Sequence, residues 1–248
     1  DSYISVIEAV KHAAYAERAK PRVHWVDAAE FDPKKNKGFE KALENLETFD
    51  GIIVPGGFGS RAVEGKIQVI RYARGKKIPY FGLCYGMQLM VIEHARHIAG
   101  LENANTTEVN PKTPYPVIDI LPEQKERMKK KEYGGTMRLG AYPAVLKKGT
   151  IAHNAYKKTY NLQLSTNNLI SERHRHRYEV NPEYIEQLEK TGLVFSGVSP
   201  DRRLMEIAEL PKKTHPFFLG TQFHPEFTSR PLKPQPLFRA FIKAALKK

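Results

Sequence analysis

Ile78-Pro79-Tyr80-Phe81-Gly82-Leu83-Cys84-Tyr85-Gly86-Met87-Gln88-Leu89-Met90 is the stretch whose reading decides the fold. An apolar run climbs from Ile78 to Phe81. From Met87 onward, Gln88, Leu89, Met90, Ile92 and Ala95 recur at helical spacing. Cys84 therefore falls on a tight strand-to-helix turn between Gly82 and Gly86. Such a turn resembles a nucleophile elbow, in which glycines let the backbone cross closely and the nucleophile stands above the sheet. The N-terminus of the following helix carries partial positive charge, which favours thiolate over thiol. A free cysteine packed in a core is the alternative that the turn alone leaves open.

Near the other end, Phe217-Phe218-Leu219 reads as a strand leading into Gly220-Thr221-Gln222-Phe223-His224-Pro225-Glu226-Phe227. In extended chain His224 and Glu226 point the same way, so the carboxylate can orient the imidazole. A thiol nucleophile needs a base within reach, and the base needs a group that fixes its tautomer. An elbow cysteine together with His-Pro-Glu is hard to reconcile with a purely structural histidine.

Other strands and helices fall in place around these two stretches. Tyr3–Ala19 has one apolar face and reads as a helix, ended by Pro21. Arg22–Asp27 reads as a strand, Glu40–Phe49 as a short helix, Gly51–Pro55 as a buried parallel-type strand, and Ile67–Arg74 as a helix. This alternation predicts an α/β fold with a mostly parallel central sheet flanked by helices. A chain that opens on a helix also implies a strand before it, outside this sequence. The second half adds strands at Val117–Leu121, Gly134–Gly140 and Tyr142–Leu146. A charged loop spans Glu123–Glu132, and a hairpin joins Leu193–Val198 to Leu204–Leu210. Leu237–Leu246 closes the chain as a helix, and Asn161–Ile170 is ambiguous.

Pro55-Gly56-Gly57-Phe58-Gly59 follows the buried strand at the edge where ligands sit in open α/β sheets. Neither a dinucleotide fingerprint nor a phosphate loop has this spacing, and no Gly-Lys-Ser/Thr follows. Beside an elbow cysteine, the N–H groups of Gly57 and Tyr85 can form an oxyanion hole. In Ser171–Asn181, alternation puts Arg173, Arg175 and Arg177 on one face and His174 and His176 on the other. The histidine pair lacks a third ligand at a useful spacing, so no metal site is expected. Arginines on one face suit carboxylates.

At 248 residues and 41% apolar, the chain can bury a full core. Mean hydropathy is −0.51, no apolar run approaches a membrane span, and no signal peptide is evident. A single cysteine excludes an internal disulfide and suits a reducing, cytoplasmic compartment. The net charge of +13 points to anionic partners. The lysines are nevertheless scattered, and no nucleic-acid-binding motif accompanies them, so the charge reads as a solvated basic surface.

Gly-Leu-Cys-Tyr-Gly-Met-Gln, Phe-His-Pro-Glu and Pro-Gly-Gly-Phe-Gly together resemble the class I (triad) glutamine amidotransferases. Four further stretches are similar to the glutaminase domains of CTP synthases: 102–108, 134–140, 172–181 (Glu-Arg-His-Arg-His-Arg-Tyr-Glu-Val-Asn) and 222–231. Leu83 and Tyr85 stand where relatives often carry Ile or Val and Leu. The resemblance spans essentially the whole chain and implies one glutaminase domain over residues 1–248, flavodoxin-like in fold, with an amidoligase domain preceding it. It implies Cys84, His224 and Glu226 as the triad and Gly57 and Tyr85 as the oxyanion hole. Gly57, Tyr85, Gly86, Gln88, Glu108 and Arg177 would hold glutamine. No cofactor is expected in this domain. ATP, Mg2+, UTP and the activator GTP belong to the full-length enzyme, expected as a homo-tetramer that aminates UTP to CTP. Two competitors remain: another enzyme on the same fold, and a basic binding module with a degenerate site.

Overall fold

The structure, a computed structural model, describes residues 3–120, 137–160 and 168–248. The charged stretch 123–132, residues 134–136 and most of 161–170 lie outside the described residues. In chain order the elements are α1 (Ile4–Ala16), α2 (Phe39–Glu44), β1 (Ile52–Val54), α3 (Val63–Lys76), β2 (Tyr80–Leu83) and α4 (Tyr85–His97). Next come β3 (Asn105–Thr106), β4 (Pro116–Asp119), β5 (Arg138–Leu146), α5 (Ile151–Tyr160), β6 (Leu169–His176) and β7 (Glu179–Val180). The chain ends with α6 (Ile185–Lys190), β8 (Val194–Val198), β9 (Met205–Glu209), β10 (Phe218–Thr221) and α7 (Pro236–Ala245).

The main sheet has seven strands in the order β1-β2-β10-β9-β8-β5-β6. β1, β2 and β10 run parallel, and the remaining pairs are antiparallel. The expected α/β class holds, with the parallel part confined to the three strands that carry the site. A small sheet, β3-β4-β7, stands apart.

Period-2 alternation distributes the apolar side chains between two clusters. Tyr80 and Phe218 join the cluster with α3 and α4, while Phe81, Leu83 and Leu219 join the one with α1, α5 and α7. Phe81 meets Phe217 and Phe238 edge-on, at centroid distances of 5.8 and 5.1 Å. Burying each such ring is worth about 1.5–3 kcal/mol, so β2 is anchored from both faces.

Several expectations need correction. Arg22–Asp27 is not a strand: among the described residues it joins no ladder, and Trp25 stays 62% exposed. Its Val-His-Trp-Val pattern suits a pleated surface, but a strand exists only where a neighbour supplies hydrogen bonds. The two strands expected around Gly140 are one, β5, paired to β6 from Arg138 to Val145. Gly140 takes φ 99° within it, a conformation that glycine tolerates. Helices α5 and α6 had no counterpart in the sequence reading.

Candidate active site

β2 delivers Cys84 and α4 departs from it, as the elbow reading requires. Cys84 sits at φ 49°, ψ −99°, a strained conformation for any residue with a Cβ. Its N–H donates to Thr221 O (2.6 Å), and its carbonyl accepts the first bond of α4, from Gln88 N (3.1 Å). Glycines make the turn possible. A Cβ on Gly86 would lie 2.1 Å from Val54 O, and one on Gly82 would lie 2.7 Å from the Gly86 carbonyl carbon. Tyr80 locks the turn from below by donating its hydroxyl hydrogen to Gly86 O (2.9 Å).

His224 and Glu226 stand just past the end of β10. They do not lie on extended chain as expected. His224 precedes a 3-10 turn, Pro225–Thr228, which brings the two side chains together: His224 Nδ1 and Glu226 Oε1 are 2.8 Å apart. Both are largely buried. Burial opposes charging of His224, but hydrogen bonds to Cys84 and Glu226, and the charge of both, lift its pKa to about 10. Phe227 stacks on the imidazole at 5.2 Å. Gly56 leaves room beside the pair, since a Cβ there would come within 2.8 Å of His224 Cε1 and 3.7 Å of Cys84 Cβ.

The glycine loop after β1 is tied to the elbow. Gly59 N–H donates to Glu108 Oε1 (3.0 Å), and the Tyr85 hydroxyl donates to Gly59 O (2.6 Å). Tyr85 thus contributes a side chain as well as an amide in the first turn of α4, where leading N–H groups have no partner within the helix. Burial pushes the Tyr85 phenol well above the ordinary tyrosine value, with the Glu108 charge adding to the rise. Gln88 donates to Tyr178 O (3.0 Å), next to Arg177, and to Gln222 Oε1 (3.4 Å). Arg177 lies beyond the end of β6, half-buried, with its Nε buried and unpaired, so it leaves the exposed face that Arg173 and Arg175 share.

Sequence reasoning missed Gln222 as a site residue. Its amide Nε2 lies 3.7 Å from Cys84 Sγ, and the only signal was its place between β10 and His224. His174 and His176 face inward and bond each other, Nδ1 to Nε2, at 2.9 Å. Among the described residues no group of three or more His, Cys, Asp or Glu could hold a metal ion. None of the described helices is long and apolar enough to cross a membrane.

The chain is 53% identical to a CTP synthase of Halalkalibacterium halodurans over 248 residues, all of this chain and 43% of that protein. It is 52% identical to a CTP synthase of Pyrococcus abyssi over 246 residues, 99% of this chain and 42% of that protein. The chain thus spans less than half the length of the curated relatives it matches. Among solved structures, the glutaminase domain of Trypanosoma brucei CTPS with bound acivicin superposes with a TM-score of 0.88 at 38% identity. That match covers all of this chain and 89% of the other. The family model for glutamine amidotransferase class-I matches residues 1–244, and the chain belongs to that family.

Proposed function

We propose that residues 1–248 form one glutaminase domain, in which Cys84 is the nucleophile, His224 the acid and base, and Glu226 its orienting partner. One observation carries this reading: His224 is shared between Cys84 and Glu226, beside a strained elbow. Cys84 Sγ attacks the side-chain amide carbon of glutamine, and the carbonyl oxygen becomes an oxyanion facing the N–H groups of Gly57 and Tyr85. His224 passes the thiol proton to the departing nitrogen, ammonia leaves, and a thioester remains on Cys84. Water, deprotonated by His224, then attacks the thioester, giving glutamate and restoring the thiol.

Arg177 pairs the substrate's α-carboxylate and Glu108 its α-ammonium, while Gly86 and Gln88 shape the wall beside the amide. The unpaired Nε of Arg177 supports that assignment. Ammonia then serves ATP- and Mg2+-dependent amination of UTP to CTP, in a synthetase domain of the same polypeptide. That larger enzyme is GTP-activated, homo-tetrameric and cytoplasmic. No Gly-Lys-Ser/Thr loop follows a strand in this chain, so its residues offer no such cradle for the phosphates of ATP.

The test is labelling with a glutamine-like diazo-ketone, read by intact mass and peptide mapping. A single adduct on Cys84, blocked by excess glutamine, is the expected result. Absence of an adduct, even with the synthetase half present, would sink the glutaminase reading.

A further inference from the structure

The segment that carries His224 and Glu226 is short, and what fixes it lies on β6. At the backbone, His224 N–H donates to Arg173 O (2.8 Å). One residue earlier, Glu172 points inward and is 3% exposed. Its Oε2 accepts from Thr228 Oγ1 (3.0 Å), the last residue of the turn that holds Glu226. Its Oε1 accepts from the Tyr156 hydroxyl (2.6 Å) and from Gln235 Nε2 (3.0 Å), and Gln235 also donates to Tyr156 (2.8 Å). Gln235 in turn caps α7 by accepting from Leu237 N and Phe238 N through its Oε1. One carboxylate therefore joins β6, α5, the start of α7 and the His224–Glu226 turn.

A buried carboxylate is costly unless its lone pairs are met, and here three donors meet them. Burial raises the pKa of Glu172 against the pull of those donors, and the nearby charge of Glu226 adds to the rise. Placing two carboxylates close together inside a protein is unfavourable, so packing alone does not explain Glu172 at this position.

We infer that Glu172 is a positioning residue for the His224–Glu226 pair. Through Thr228 it fixes the turn that aims Glu226 at His224 Nδ1, and so keeps the imidazole on Cys84. This rests on the glutaminase reading of Cys84 and His224. Its consequence is that loss of the tie loosens the imidazole and weakens its hold on the thiolate, without touching the glutamine pocket.

The experiment follows the pH dependence of Cys84 alkylation by iodoacetamide, which needs no substrate pocket. It uses the wild-type chain and three variants, each checked for its melting temperature. Thr228→Val removes the link to Glu172 together with the bond from Thr228 Oγ1 to Pro225 O (3.0 Å) inside the turn, and leaves Glu172 two donors. Glu172→Ala removes the whole junction. Glu172→Gln can accept from Tyr156 and Gln235 and donate to Thr228, so it restores the junction without the charge. The acid limb of the profile should move up by about one unit in Thr228→Val and Glu172→Ala, and stay at the wild-type position in Glu172→Gln. A folded Thr228→Val with the wild-type limb, a lowered melting temperature with no movement of the limb, or failure of Glu172→Gln to restore it overturns the proposal. A wild-type limb at the ordinary thiol position would instead remove the Cys84–His224 pair itself, and the glutaminase reading with it.

Discussion

Cys84 holds a backbone conformation that costs on the order of 1–3 kcal/mol in a residue with a Cβ, and it holds it because glycines surround it. On the glutaminase reading, the strain aims the thiol, so it is stability given up for function. Replacing cysteine by alanine or by glycine removes the same thiol, but only glycine relieves the backbone. Cys84→Gly should therefore be more stable than Cys84→Ala by about 1 kcal/mol, the reverse of the usual ranking. Chemical denaturation of the two variants measures it, and a more stable alanine variant would mean that the turn is unstrained. The elbow was legible in the sequence because glycine, cysteine and glycine are each required by sterics or chemistry. Glu226 was legible by its spacing from His224, although a turn rather than a strand unites them. Gln222 and Glu172 were not, since a buried glutamine or glutamate announces itself only through partners distant in the chain.

At the scale of elements, β6 explains both what patterning can show and how the fold responds to acid. Its alternation was readable, and the structure places Glu172, His174 and His176 inside and Arg173 and Arg175 outside. Arg22–Asp27 has an equally strand-like pattern and forms no strand, because ladder partners are not written into a segment's own sequence. α6 was missed because six residues are too few to display a helical period, and α5 because its buried residues, Ala152, His153, Ala155 and Tyr156, include two small side chains and a histidine rather than an aliphatic stripe. Within β6, burial depresses His174 to about 3, with Arg138 and His224 adding to the effect, and holds His176 well below the ordinary histidine value. The unfolded chain binds these protons near 6.5, whereas the folded chain does not until the pH is far lower. Stability is thus fully present above 6.5 and is lost as the pH falls, for His174 by about 1.4 kcal/mol per unit toward 3, with His176 acting in the same direction. His174→Gln should flatten the dependence of unfolding free energy on pH between about 6 and 4 by that amount. An unchanged slope would mean that His174 is protonated in the folded chain.

For the whole molecule, the arrangement divides labour along the polypeptide. One face of the parallel trio β1, β2 and β10 is covered by α3 and α4, the other by α1, α5 and α7, and the site occupies the carboxyl ends of the strands. On the glutaminase reading, the groups that take an amide apart converge there, in a chain that covers 43% of the length of its relative from Halalkalibacterium halodurans. Amination of a nucleotide needs a phosphate cradle, and no Gly-Lys-Ser/Thr loop follows a strand in this sequence. The two half-reactions should therefore separate. Given glutamine alone, residues 1–248 assayed without a synthetase domain should release glutamate slowly. Given ammonium, ATP, Mg2+ and UTP, which bypass the elbow altogether, it should make no CTP at any chain concentration. Chromatography of the nucleotides beside a glutamate assay reads both at once. CTP formed from ammonium by this chain alone would show that the synthetase chemistry resides here, and would overturn the division. Glutamate release that survives Cys84→Ala would break it from the other side, by separating hydrolysis from the elbow on which the fold converges.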